Sequence, residues 1–227
     1  MLTQTMTRSS SRQTAGHIPH PVVEMKSYSF GTPLELVGAP MPFARNAEIY
    51  GENEPAEYLY KVVSGSVRTY KVLNDGRRQI GAFYLAGDVF GLEVGDEHTF
   101  SAEAIVNSKI LVIKRSTLVN LASRDNETAR KLWTMTAGEL QRVQAHILLL
   151  IKTAQERVAG FLLEMAARVP MGNEIDLPMS RQDIADYLGL TIETVSRTLT
   201  QLERGRAISI PNARTIVLHE SLTQGGG

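Results

Sequence analysis

The chain of 227 residues contains no cysteine. That absence removes catalytic thiols, thiolate-held zinc, cysteine-held iron–sulfur clusters and disulfides, and it fits a reducing, cytoplasmic setting. A charge excess is also missing, since 24 Lys and Arg balance 24 Asp and Glu. Neither bulk attraction to nucleic acid nor an acidic, solvated chain is indicated. No run approaches the roughly 18 consecutive apolar residues of a membrane helix. The most apolar stretch, Ala145–Ile151, lies between Arg142 and Lys152, so no membrane partner is expected. His17, His20, His98, His146 and His219 are scattered without zinc spacing. Gly-x-Ser-x-Gly, Walker, His-x-x-x-His and paired-carboxylate patterns are absent as well. No enzyme, metal or cofactor is expected.

What the chain does have is 43% hydrophobic residues, enough core for one large domain or two ordinary ones. Residues 1–25, with no acid before Glu24, read as a flexible arm, and residues 221–227 as a flexible tail. Between residues 28 and 114 the language is that of strands. Tyr58–Val63, Ser66–Leu73 and Arg77–Tyr84 are rich in β-branched and aromatic residues and are punctuated by Ser64-Gly65 and Asn74-Asp75-Gly76. Shorter strands are expected near Phe100–Val106 and Ile110–Lys114, around Asn107-Ser108. Many short strands with regular turns predict an antiparallel barrel or roll.

From Ser116 the period becomes helical. Trp133, Thr136, Leu140, Val143, Ile147, Leu150 and Ala154 alternate by three and four, the seam of a helix that pairs with a second copy. About three heptads also suit a helix packed only on its own domain, while Leu148, Leu149 and Ile151 widen the stripe enough for both. A second helical segment, Gln155–Val169, stops at Pro170 and Gly172, and residues 173–178 read as a turn. Ser180-Arg-Gln-Asp183 has the form of a helix N-cap. The helix it opens breaks at Gly189-Leu190, Thr191 caps the next, and Val195, Leu199 and Leu202 give that helix a buried stripe ending at Gly205. Two short helices joined at a glycine make a helix-turn-helix. Ala207–Ile210 and Thr215–Leu218 then read as a two-stranded wing.

The second helix leaves Glu193, Ser196, Arg197, Thr200 and Arg204 opposite its buried stripe. An arginine donates two hydrogen bonds to guanine and a glutamate accepts one from cytosine N4, both in the major groove. The plainer alternative is an i,i+4 salt bridge on a solvated face. The block Ser180–Ile208, centred on Thr191-Ile-Glu-Thr-Val-Ser-Arg197, resembles the DNA-binding helix-turn-helix of the Crp/Fnr family of bacterial transcription regulators. Glu193-x-x-Ser196-Arg197 is similar to the signature of its Fnr and FixK branch. Ser64-Gly-Ser-Val67, Asp75–Ile80 and Phe83–Asp88 resemble that family's β-roll, so the likeness spans roughly residues 28–218.

The resemblance implies an α+β fold with a cyclic-nucleotide-binding-like β-roll over residues 26–115, a dimerisation helix region over 116–154 and a winged helix-turn-helix over 155–220. It implies base contacts by Ile192, Glu193, Ser196 and Arg197, and phosphate contacts by Ser180, Arg181, Gln182, Thr191 and Thr194. A homodimer would join through Trp133, Leu140, Val143, Ile147, Leu150 and Ala154. Its partners would be a palindromic double-stranded DNA with TTGA-like half-sites and RNA polymerase, and its role activation of low-oxygen or nitrogen-fixation genes.

Members of the family that bind cAMP use a Gly-Glu pair and an Arg-Ser or Arg-Thr pair. Here Phe90-Gly91-Leu92-Glu93 and Thr99-Phe100-Ser101-Ala102 put Phe100 in place of the arginine. A buried cyclic phosphate would lack its guanidinium, so an effector-free regulator is expected. A β-roll that takes another small molecule is the alternative. Haem-dependent relatives use a histidine near His98, but a lone loop histidine reads as a solvated side chain. Ser180 is also marked as a redox-control position. A cysteine there would stand at a helix N-terminus beside Arg181, a setting that lowers a thiol pKa; the plain reading is a native cap.

Overall fold

The computed structural model describes residues 38–168, 172–220 and 222. The expected arm at 1–25, the stop at Val169-Pro170 and all but one residue of the 221–227 tail lie outside the described residues. Eight strands come first: β1 (Ala39–Phe43), β2 (Glu48–Tyr50), β3 (Tyr58–Ser64), β4 (Ser66–Val72), β5 (Arg78–Leu85), β6 (Val89–Phe90), β7 (Ser101–Ala104) and β8 (Ser108–Lys114). They form two antiparallel sheets, ordered β1-β8-β3-β6 and β2-β7-β4-β5. Tyr50, Tyr60, Val62, Val67, Tyr84, Phe90, Ala102 and Ile110 fill a core between them. Pro40 and Pro42 are tolerated because β1 is an edge strand paired only with β8. The β3–β4 turn depends on Gly65, whose φ of +87° suits glycine and whose absent Cβ would lie 2.7 Å from Ser108 Cα.

Helices follow as α1 (Arg115–Ala122), α2 (Asn126–Leu150) and α3 (Ala154–Ala167). Asp125 opens α2 by accepting the Glu127 and Thr128 amides. The helix ends at Leu150, so the apolar seam stops there and does not continue to Ala154. Ala154 is instead the first residue of α3. The reason is local: Thr153 and Glu156 form a capping box, with the Thr153 amide donating to Glu156 at 2.9 Å, and that box starts a new helix.

The C-terminal elements are β9 (Glu174–Asp176), α4 (Arg181–Leu188), α5 (Ile192–Arg204), β10 (Ile208–Ser209) and β11 (Thr215–Leu218). The wing has three strands, ordered β10-β11-β9, so residues 173–178 include a strand where a turn was expected. Ile175 and Leu177 are buried on either side of exposed Asp176, an alternation too short to stand out in sequence.

Packing runs without a break from roll to wing. Ile80, Phe83 and Ile105 of the roll join Leu149 of α2, Val158, Phe161, Leu162 and Met165 of α3, and the apolar faces of α4 and α5 in one core. A polar latch lies beside it. Arg68 of β4 donates to both oxygens of Asp183 on α4 at 3.2 Å and to Glu103 at 2.8 Å. Arg78 of β5 reaches Asp183 at 2.6 Å and Asp186 at 2.8 Å. Asp183 is 3% exposed. Replacing one member of a buried pair leaves the other charge uncompensated, so Asp183→Ala is expected to cost about 3–5 kcal/mol. Urea denaturation followed by circular dichroism measures this as a lower transition midpoint.

Candidate nucleic-acid interface

The interface is assembled by three caps. Ser180 Oγ accepts the Asp183 amide at 3.1 Å while Asp183 accepts the Ser180 amide at 3.0 Å, a complete capping box for α4. Gly189 ends α4 in the left-handed region at φ +62°. Thr191 Oγ1 then accepts the Thr194 amide at 3.2 Å and starts α5. The cap at Ser180, the break at Gly189 and the cap at Thr191 stand where the sequence placed them.

On α5, Val195, Thr198, Leu199 and Leu202 are buried. Ile192, Glu193, Arg197, Thr200 and Arg204 are exposed and Ser196 is partly so. Glu193 and Arg197 form no ion pair among the described residues, although their spacing would permit one. Hydrogen bonds from its own backbone amide and from the Thr191 hydroxyl hold the Glu193 carboxyl below its ordinary pKa, so it is an ionised acceptor at neutral pH. Ser180, Gln182 and Thr191 are exposed, and Arg181 and Thr194 partly exposed, at the first turns of α4 and α5. Gln182 is committed to Asp186 at 2.6 Å, a contact that sequence spacing alone did not reveal.

Position 180 is less suited to a reactive thiol than its helix terminus suggests. Ser180 Oγ donates to the Asp183 carboxylate at 2.8 Å. A cysteine there would face that carboxylate, and a neighbouring negative charge raises a thiol pKa where Arg181 would lower it.

Trp133, Leu140, Val143 and Ile147 are exposed on α2, Trp133 at 73% and Ile147 at 58%, and Val143 and Ile147 also border the cavity between this helix and the roll. Leu150 is partly buried. Leu149 packs inward and Leu148 and Ile151 outward, so the widened stripe divides between the two sides.

A cavity of about 460 Å³ lies in the roll beneath α2 and includes Tyr84, Gly91, Glu93, Phe100 and Val143. Phe100 covers Gly81 so closely that an added Cβ would meet its ring at 3.0 Å. Tyr84 Oη donates to Glu139 of α2 at 2.9 Å. The expectation of a solvated His98 is corrected: its side chain is buried, 3.6 Å from Tyr50 in a stacked pair, and neither ring nitrogen has a hydrogen-bond partner among the described residues. The backbone places it there, since the His98 amide donates to Glu54 and its carbonyl accepts from Asn53. Among the described residues no group of three or more potential ligands is placed to hold a metal ion.

Residues 156–222 match the Crp-like helix-turn-helix domain and residues 40–125 the cyclic nucleotide-binding domain. The nitrogen fixation regulation protein FixK of Azorhizobium caulinodans is 53% identical over 193 residues, covering 82% of this chain and 78% of that protein. The FixK of Rhizobium meliloti is 42% identical, with 74% and 77% covered. The chain belongs to the Crp/Fnr family, in its FixK branch. The solved structure of FixK2 from Bradyrhizobium japonicum superposes on this FixK-branch chain with a TM-score of 0.79 at 54% identity, covering 83% of this chain and 96% of that one. The chain is thus a transcription regulator of that kind and not an enzyme. No helix among the described residues is long and apolar enough to cross a membrane.

Burial holds the His98 imidazole below its ordinary pKa, against the opposing pull of Glu93. The unfolded chain then binds the proton more readily than the folded one. Stability should therefore fall as pH drops from about 7 to about 5.5, through the ordinary histidine range. His146, also lowered by burial, contributes in the same sense, so His98→Phe is expected to flatten the dependence without abolishing it. Thermal melts of both forms across that range test this.

Proposed function

We propose that this chain is a homodimeric transcription activator that binds an inverted repeat with TTGA-like half-sites and recruits RNA polymerase. It acts without a small-molecule effector on low-oxygen or nitrogen-fixation genes. The carrying observation is the exposed, mutually unpaired Glu193 and Arg197 on a helix whose other face is fully committed to the core. A guanidinium with no carboxylate partner among the described residues is available for guanine O6 and N7, and an ionised carboxylate one turn earlier for the cytosine N4 of the same pair. Ile192 and Ser196 complete the base-reading set. Ser180, Arg181, Gln182, Thr191 and Thr194 hold phosphates at two helix N-termini.

Dimerisation is supported by the exposed apolar side chains of α2. Trp133, Leu140, Val143, Ile147 and Leu150 would be shared between copies, and a two-fold axis presents two recognition helices to half-sites about one helical turn apart. The role in nitrogen fixation is supported by the names of the FixK relatives. Effector-free action is supported by Phe100 in the cavity wall where a cyclic phosphate would need a cation. A second reading, a regulator whose roll takes a small molecule, is favoured by the cavity itself. Its aromatic and aliphatic lining suits an apolar occupant rather than a nucleotide.

Fluorescence anisotropy with the inverted repeat and with a scrambled duplex, with no effector added, tests the main reading. Arg197→Ala should cost about 1–3 kcal/mol and relax discrimination at the guanine. Equal loss on every half-site variant would remove Arg197 from base reading. Ile147→Glu places a charge on the proposed seam and should give a monomer by sedimentation, with loss of specific binding. A dimer that still binds would place the contact elsewhere.

A further inference from the structure

We propose that a cleft between the β-roll and the helix-turn-helix binds a phosphate of the DNA backbone, so that the roll itself forms part of the DNA contact surface. This rests on the DNA-binding reading above and extends it to residues outside the helix-turn-helix. The cleft encloses about 500 Å³ and is lined by Arg45, Arg68, Arg78, Arg181 and Arg214, with Asp183 as its acid. The five arginines meet three carboxylates in all, because Arg68 and Arg78 are held by Asp183, Asp186 and Glu103. Arg45, Arg181 and Arg214 have no carboxylate partner among the described residues. The excess positive charge is thus concentrated on exposed Arg45 and Arg214 and partly exposed Arg181. Deeper in the wall, the Arg68 side chain is only 10% exposed, and its Nε lacks a hydrogen-bond partner among the described residues.

Arg45 and Arg214 are exposed, but the backbones that carry them are fixed. The Arg45 amide donates to Asn107 Oδ1 at 2.9 Å, and next to it Asn46, at φ +63°, donates to the Ala104 carbonyl at 2.8 Å. Across the cleft, Asn212 Oδ1 accepts the Arg214 and Thr215 amides, each at 2.9 Å. The two walls are also held in register, by the Arg68–Asp183 and Arg78–Asp186 pairs and by the shared apolar core. The result is a preorganised basic cleft rather than a chance grouping of surface arginines.

Phosphate is the matching chemistry, since guanidinium groups take its oxygens in pairs. Of its two sources, a free anion and the DNA backbone, continuity favours DNA. Ser180, Arg181 and Gln182, already proposed to grip phosphates from α4, line this same cleft, and Arg214 reaches it from the wing. A duplex seated on α5 and the α4 N-terminus would carry its backbone past Arg45.

The test uses the full chain and the inverted-repeat duplex. Arg45→Ala removes only an exposed side chain, and a thermal melt checks that the fold is kept. Affinity should drop about 3–10-fold, uniformly across half-site variants, and the slope of log K against log salt should weaken by about 2 per dimer, one phosphate per subunit. Phosphate-ethylation interference should lose one position per half-site, and Arg45→Lys should restore the salt slope but only part of the affinity, since an ammonium keeps the charge without the paired contact. An unchanged slope and footprint in Arg45→Ala would overturn the proposal while leaving the DNA-binding reading intact. Wild-type protein that does not distinguish the repeat from scrambled DNA would overturn both. A third arm titrates inorganic phosphate at constant ionic strength and follows the melting temperature. Stabilisation lost in Arg45→Ala alongside an unchanged DNA footprint would assign the cleft to a free anion and overturn the DNA assignment.

Discussion

The carboxylate of Asp183 is where the two halves of the molecule are joined. It is almost fully buried, accepts hydrogen bonds from Arg68 and Arg78 of the roll, and closes the capping box with Ser180 at the start of α4. One side chain therefore fixes both the origin of the first helix of the helix-turn-helix and its attachment to the β-sheet. Removing two charges from water is costly, and the arrangement is sustained because several donors saturate the acid from both domains. Gln79 and His146 add to the same junction, both donating to the Tyr187 carbonyl at the far end of α4, at 3.3 and 2.9 Å. The first helix of the DNA-binding unit is thus tied at both termini to elements that precede it in sequence.

Parts of this arrangement were legible in the sequence and parts were not, for physical reasons. Caps and breaks are local chemistry, so Ser180, Gly189 and Thr191 announced the helix-turn-helix by residue type and spacing. The strands β3, β4 and β5 were equally legible, because β-branched and aromatic runs between Gly-containing turns leave few other conformations open. The end of α2 was missed although its signal was present. Thr153 and Glu156 form a capping box, but a heptad pattern running through Ala154 outweighed it. The latch was not legible at all, since Arg68 and Asp183 are 115 positions apart and nothing in either segment alone singles them out. His98 failed for a related reason. Its loop reads as solvated, while the tyrosine that covers it comes from a strand far upstream.

The balanced composition also takes on a different meaning. Equal numbers of acids and bases do not make an electrically featureless molecule. Acids are spent on neutralising arginines at the domain junction, and Arg45, Arg181, Arg197 and Arg214 remain without carboxylate partners among the described residues, two of them on the helix-turn-helix and one each on the roll and wing. A regulator built this way has little bulk attraction for nucleic acid and depends on matched contacts, which favours selectivity over indiscriminate binding.

The outward-facing side of α2 has an optical consequence. The chain contains one tryptophan, and it is Trp133, 73% exposed on that face. Indole emission therefore comes from a single point, well away from the recognition helix in sequence and set in the helix proposed to meet a second copy. Its wavelength and its accessibility to a neutral quencher would follow the wetting and drying of that face alone. The protein thus carries an intrinsic fluorophore for the proposed self-association, with no label to attach and no second tryptophan to confuse the signal.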